Sequence, residues 1–339
     1  MNTSETKICQ NCKQNFTLDP DDFNFYQKTN LPLPTFCAEC SMQRRLAYRN
    51  ERTLYRRKCD APGHDEEIFS VFSPDKPFTV YDEKYWWSDA WDPLNYGRDY
   101  DFEKPFFKQY RELLEKVPLI SLSATNMVGC SYCNVAEGDK NCYLISASWR
   151  NENTYFSNRV GMDKDSMDLY LAESSELCYE LINCSKCYQL KFSQNCLECS
   201  NSAFLFDCIG CNNCFASTNL RNKSYYYFNE PLNKEEYLSK IKAFNSGSFK
   251  ATEEVKQKFE ELKSRPIHRY AQIIKSTGST GDNLLGVKNC RSCFDLIGRP
   301  SAEDCKDSHW GGYGIKDVWR SGPGLGLGER LYEAFDSGI

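Results

Sequence analysis

The sequence predicts a mainly β chain with small α parts, organised around a parallel β-solenoid of twelve-residue repeats. Three observations carry this reading. Between Cys130 and Asn229, residues twelve apart match in kind: Cys130, Cys142, Thr154, Ser166, Cys178, Ser202 and Cys214 share one column, broken by Leu190. The next column holds Tyr143, Tyr155, Tyr179, Phe215 and Tyr227, and a third runs through Cys184, Cys196 and Cys208. Within each unit a short apolar or β-branched run alternates with a turn rich in Asn, Asp, Gly or Lys, which leaves no room for a helix. A fixed short period marks a stacked array whose units cannot bury an apolar face alone. A coil of two units, about 24 residues, is expected, because a twelve-residue coil would turn the Tyr and Phe column outwards.

Length and composition narrow the classes. A chain of 339 residues is long enough for two or three units with cores of their own. Its 40% hydrophobic and 26% charged content is that of a soluble globular protein. A net charge of −5 excludes a general attraction to nucleic acid or anionic membrane, so any basic surface is local. No apolar run approaches the roughly 18 residues that span a bilayer, and the first residues carry no signal sequence. Nineteen cysteines, many in Cys-x-x-Cys pairs, read as reduced thiols and metal ligands in the cytoplasm.

Residues 1–58 form the first segment. Cys9-x-x-Cys12 and Cys37-x-x-Cys40, 24 residues apart, can set four thiolates tetrahedrally around one Zn2+. Phe16, Phe23, Phe25 and Tyr26 supply an apolar cluster between them, where a hairpin is expected. The stretch SMQRRLAYRNERTLYRRK has no Gly or Pro and reads as a helix with a local net charge of +6. Spacings of 4, 3 and 4 put Arg45, Arg49, Arg52 and Arg56 on one helical face. Such a stripe suits nucleic-acid phosphates, and equally suits a solvated face or pairing with the acidic segment that follows. Knuckle, hairpin, knuckle and helix make a treble clef. The stretch CQNCKQNFTLDPDDFNFYQKTNLPLPTFCAECSMQRR resembles the probable zinc-ribbon domain at the front of many bacterial proteins. Shared features are Cys-x-x-Cys with a following Phe, an acidic residue ahead of Phe-Tyr, a Pro, and Cys-x-x-Cys leading into an Arg-rich helix. The remainder is similar to a family in which this ribbon precedes cysteine-rich solenoid repeats, often in two blocks. The resemblance implies architecture and carries no activity.

Residues 59–128 read as a capping and connecting region. Cys59 and His64 are too few for a metal site, so Cys59 is expected to be a spare buried thiol. Nine aromatics between Phe78 and Phe102, among them Trp86, Trp87 and Trp91, are mixed with acidic residues. That mixture disfavours a nucleic-acid backbone nearby and favours a cap over the open end of the array. A helix follows with Phe106, Tyr110, Leu113 and Leu114 inward, ended by Pro118.

The solenoid spans 129–230. In a two-unit coil, Cys184 and Cys187 would stack on Cys208 and Cys211 and enclose a second Zn2+. With no His or carboxylate column beside them, the same thiols read as small buried packing groups. Residues 231–283 read as a helical linker: Asn233 and Glu236 form a capping box, and Tyr237, Ile241 and Phe244 share a face, as do Val255, Phe259 and Leu262. From 284 to 339 the repeat begins again, Cys293-Phe-Asp-Leu-Ile297 matching Cys142-Tyr-Leu-Ile145, so an incomplete second block is expected. Cys290, Cys293, Cys305 and His309 have zinc-like spacing that the repeat alone also explains.

No GxSxG, HExxH or Walker motif is present, and three histidines supply little acid–base chemistry, so the chain is expected not to be an enzyme. The expected function is a cytoplasmic zinc-binding scaffold presenting its solenoid surface to a macromolecular partner, a protein. The alternative is a nucleic-acid- or ribonucleoprotein-associated factor using the basic helix. No membrane partner is expected.

Overall fold

The computed structural model describes residues 4–244 and 247–336. The chain forms two compact units, Met1–Asn50 with His268–Ile339, and Glu51–Ile267. Among the described residues no helix is long and apolar enough to cross a membrane.

The first unit opens with an antiparallel hairpin, β1 (Glu5–Ile8) and β2 (Asn15–Leu18). The hairpin flanks the first cysteine pair, and a helix, α1 (Pro20–Thr29), lies where the sequence predicted the hairpin. Pro20 suits the first helical turn, whose N–H groups lack partners. Asp22 Oδ2 accepts the Asp19 N–H at 2.7 Å, and Asn30 ends the helix at φ 54°. The second helix, α2 (Ala38–Leu46), stops well short of the predicted end at Lys58. Tyr48, Asn50, Thr53 and Tyr55 are weak helix formers, and pairing decides the outcome: β3 (Tyr55–Lys58) runs antiparallel to β4 (Glu67–Ser70), with Arg56 opposite Phe69.

The second unit begins with that β3–β4 ladder, after which β5 (Val80–Tyr81) leads into the single-turn helix α3 (Glu83–Trp86). The helix α4 (Phe106–Leu114) follows, and β6 (Leu119–Ile120) then pairs in parallel with β5. The inward residue of α4 is Gln109 rather than the predicted aromatics. Its amide donates to the carbonyls of Asp101 and Lys104 at 2.8 and 2.9 Å, while Phe106 and Tyr110 stay exposed.

From β7 (Ala124–Thr125) to β17 (Ser224–Tyr227), each strand pairs in parallel with chain twelve residues further on: Asn134 with Ser146, Met167 with Tyr179, Ala203 with Phe215. One coil therefore takes twelve residues, and the expected coil of about 24 is corrected. The geometry follows a period of three. From Asn126 to Phe228 every third residue sits in the left-handed region, with φ between 47° and 67°. Each such residue turns a corner, so a coil is four-sided. From Cys133 to Ser217 every third residue also points inward and is at most 7% exposed. These inward residues are Cys, Ser, Thr, Ala, Val, Leu, Ile, Asn or Asp. Four inward side chains fill a coil and leave no space for a ring, which is why Tyr143 and Tyr155 lie outside. After glycine, Asn and Asp tolerate the corner conformation best, and they form ladders across it: Asn141 donates to Asn153 Oδ1 at 3.3 Å and Asn153 to Asp165 Oδ1 at 2.6 Å.

After β18 (Glu230–Pro231), α5 (Lys234–Ala243) and α6 (Phe249–Lys263) lie on the outer face of the last coils. Tyr237, Ile241, Phe244, Val255 and Phe259 pack on Phe192, Phe204 and Phe215, as the helical spacing predicted. In the first unit a second parallel array runs from β19 (Ile273–Ile274) to β23 (Leu325–Tyr332), beginning ahead of the predicted 284. Its register is irregular: Gly281 pairs with Cys293, but Phe294 pairs with His309, so extra residues bulge out of the coil. On this array α1 is seated: Phe25 stacks on Trp319 at 4.5 Å, and Lys306 Nζ lies 2.8 and 2.7 Å from Asp19 and Asp22.

One interior column of the regular array is polar. The Asn151 N–H donates to Asp139 Oδ1 at 2.7 Å, the Asp163 N–H to Asn151 Oδ1 at 2.9 Å, and the Ser175 N–H to Asp163 Oδ1 at 2.7 Å. Burial pushes the Asp163 carboxyl up to about 7. With an unfolded value near 4, the stability contributed by protonated Asp163 is full below about pH 4 and is lost as pH rises through about 7. Relative to wild type, Asp163→Asn should therefore gain about 2–4 kcal/mol between pH 4 and pH 8. Urea unfolding at both pH values measures this, and a stability difference independent of pH would refute it.

Candidate metal centre

Two segments converge on the first site. The turn between β1 and β2 carries Cys9 and Cys12, tightened by Lys13 in the left-handed region at φ 63° and by its N–H to the Cys9 carbonyl at 3.0 Å. Cys37 caps the N-terminus of α2, where its Sγ accepts the Cys40 N–H at 3.5 Å. The Cys37 N–H in turn donates to Cys9 Sγ at 3.3 Å. All four sulfurs lie within 4.8 Å of one another, and Cys12 Sγ is 3.9 Å from Cys37 Sγ. A tetrahedral ion with bonds of about 2.3 Å separates its sulfurs by about 3.8 Å, so the set fits a zinc-sized ion. Burial opposes ionisation of Cys9, but N–H groups from Cys37, Cys12 and Asn11 outweigh it and bring the thiol down to about 6. Burial pushes Cys37 up to about 12, and the neighbouring sulfurs add to it. One charge on the sulfur cluster thus resists the next until a cation joins it. The four cysteines singled out in the sequence are brought together and can bind a metal ion.

The other expected sites are not assembled. The register sets Ser185 beside Leu197 and Leu197 beside Ile209, so Cys196 stands between Cys184 and Cys208, and Cys199 between Cys187 and Cys211. The set expected to enclose a second zinc is therefore split by an intervening coil. These thiols instead donate along the coil, Cys184 to the Ile182 carbonyl at 3.3 Å and Cys211 to the Ile209 carbonyl at 3.4 Å. Burial pushes Cys133, Cys142 and Cys178 of the same interior up to about 12, whereas hydrogen bonds from neighbouring thiols lower Cys184 and Cys211. Cys290, Cys293 and Cys305 line the second array in the same way, Cys290 donating to the Lys288 carbonyl at 3.4 Å.

The arginine stripe is dispersed as well. Arg45 is buried on α2 and donates to Ser41 Oγ at 2.8 Å. Arg49 lies beyond the helix, over the Trp310 ring at 4.3 Å. Arg52 belongs to the other unit, and Arg56 pairs with Glu67 across the β3–β4 ladder. No single helical face holds the four residues, because the helix needed to align them ends at Leu46.

A second group was missed. Cys59, His64, Glu66 and Asp82 bring their ligand atoms within 4.8 Å of one another and can hold a metal ion, which corrects the reading of Cys59 as a spare thiol. Cys59 with His64 was visible in the sequence. Asp82, supplied from beyond β5, was not.

No family model matches the chain. No curated protein matches it either. Among solved structures it is similar to UDP-N-acetylglucosamine O-acyltransferase from Moraxella catarrhalis RH4, at 14% identity and a TM-score of 0.20, over 42% of this chain and 89% of that one. It is also similar to a putative acetyltransferase from Desulfovibrio desulfuricans G20, at 10% identity and a TM-score of 0.13, over 56% of this chain and 57% of that one. Both neighbours are described as acyl-transferring enzymes, and the expectation that the chain is not an enzyme is withdrawn. At these scores neither activity passes to this chain.

Two outcomes test the site assignments. Cys37→Ser should lower the tightly bound metal of the reduced protein by one equivalent in elemental analysis. Cys184→Ala should leave metal content unchanged and cost on the order of 1–2 kcal/mol, the effect of removing a small buried group. Metal loss in Cys184→Ala would return the coil thiols to the list of ligands.

Proposed function

We propose that the chain is a zinc-binding protein whose N-terminal treble-clef ribbon holds Zn2+ through Cys9, Cys12, Cys37 and Cys40, and whose β-solenoid docks a protein partner along one aromatic flank. The observation that carries the docking is how that flank is shared out. Two adjacent outer columns run the length of the regular array. In the later coils Phe192, Phe204, Phe215 and Tyr227 of these columns are covered by α5 and α6. In the earlier coils Tyr143, Leu144, Tyr155 and Phe156 are 37–47% exposed. The chain's own helices thus show what this surface accepts, and an amphipathic helix of a protein partner is the occupant that fits. Large apolar side chains grouped on a surface favour such use over solvation.

Leu144→Glu with Phe156→Glu should abolish retention of the partner from extract of the native cells. Met162→Glu, on the opposite corner of the coil, should leave it intact. Equal retention by the two variants would exclude the aromatic flank.

A further inference from the structure

The group around Cys59 belongs to the second unit and has its own geometry. The Cys59 N–H donates to the Glu66 carbonyl at 3.1 Å, so the loop between them folds back and returns His64 and Glu66 beside the cysteine. Gly63, at φ 78°, makes the reversal, a conformation that costs glycine little. His64 Nδ1 lies 2.6 Å from Glu66 Oε1 and 3.3 Å from Asp82 Oδ2, and Asp82 Oδ2 lies 3.7 Å from Cys59 Sγ. Asp82 Oδ1 accepts the N–H groups of Lys84 and Tyr85 at 3.0 and 3.2 Å, which fixes the carboxylate and leaves Oδ2 to the cluster. The Asp82 N–H donates to Cys59 Sγ at 3.2 Å and would support a thiolate, but burial, with the Asp82 carboxylate beside it, holds the thiol above its ordinary value, so ionisation there calls for a cation. Three acidic groups thus surround one imidazole, and among the described residues neither Glu66 nor Asp82 pairs with Lys or Arg. Acidic groups gathered this closely need a compensating charge.

We infer that Cys59, His64, Asp82 and Glu66 hold a second zinc ion, in a site of a different class from the four-cysteine centre. A thiolate and an imidazole select a borderline-soft ion and exclude Ca2+ and Mg2+, while two carboxylates complete four coordination. Burial grades the donors. Cys59 is 5% exposed and the Glu66 side chain is 51% exposed, so Glu66 is the solvent-side ligand, the one that water replaces most readily. The ion fastens the β3–β4 hairpin to the start of α3, beside Tyr81, Trp86 and Trp91.

The reduced full chain should carry two zinc ions by elemental analysis, and both His64→Gln and Cys59→Ser should carry one. Zinc-edge X-ray absorption adds a reading of ligand type. Two filled sites share five sulfurs, a mean of about 2.5 per zinc, and loss of the second site alone raises the mean to about four. His64→Gln keeps the test decisive if Cys59→Ser unfolds, because the His64 side chain is partly exposed; circular dichroism checks that variant. A single zinc with four sulfurs in wild type, or two zincs kept in both variants, would overturn the inference.

Discussion

The structure depends on the width of one coil. Four corners in left-handed backbone close the chain after twelve residues, and the four inward positions then meet near a common axis. At that width a side chain larger than Leu does not fit, and a polar one must find a partner within its own coil or the next. Cysteine answers both demands. It is a compact apolar group whose S–H reaches a carbonyl two residues back, as in Cys199 to Leu197 and Cys208 to Phe206. Serine does the same and accepts as well: Ser193 Oγ takes the Leu205 N–H at 3.1 Å. The abundance of cysteine is thus mostly a packing property. Aromatic residues, excluded from the interior, accumulate on the outside, and the flank they create is where other elements attach.

Outside the coils the chain has little apolar interior to work with. Leu18, Phe25 and Tyr26 are the large buried side chains near the N-terminal hairpin, and Tyr81 with half-buried Trp86 and Trp91 serves the region after β3. Segments this small gain stability from cross-links more readily than from a core. Both groups of clustered ligands occur in such segments.

Legibility in the sequence followed period and local spacing. The columns twelve apart gave the parallel array directly, because stacked coils repeat their side chains at every turn. Coil length was misjudged for a physical reason. Aromatic bulk argues for an interior Tyr143 column, whereas the inward positions recur every third residue and are filled by chemically mixed small groups that give no hydropathy signal. Asn141, Asn153 and Asp165 were the available clue, since residues tolerant of left-handed backbone marked a corner. Cys9, Cys12, Cys37 and Cys40 were legible because each pair is local. Asp82 was not, because strand pairing brings it to Cys59. The helix through Arg56 failed where cross-strand pairing overrode a pattern without Gly or Pro.

The polar column from Asp139 to Ser175 bears on error as well as on stability. An array of near-identical coils can mispair by one whole repeat while keeping its backbone ladder. Here the column passes from Asp139, Asn151 and Asp163 to Cys187, Cys199 and Cys211 along the axis. A slip by one coil would set Asp163 one place further towards the thiols, and the hydrogen bonds that join Asp139 to Asn151 and Asn151 to Asp163 would lose their partners. Repetition supplies the architecture, and the few residues that break it number the coils.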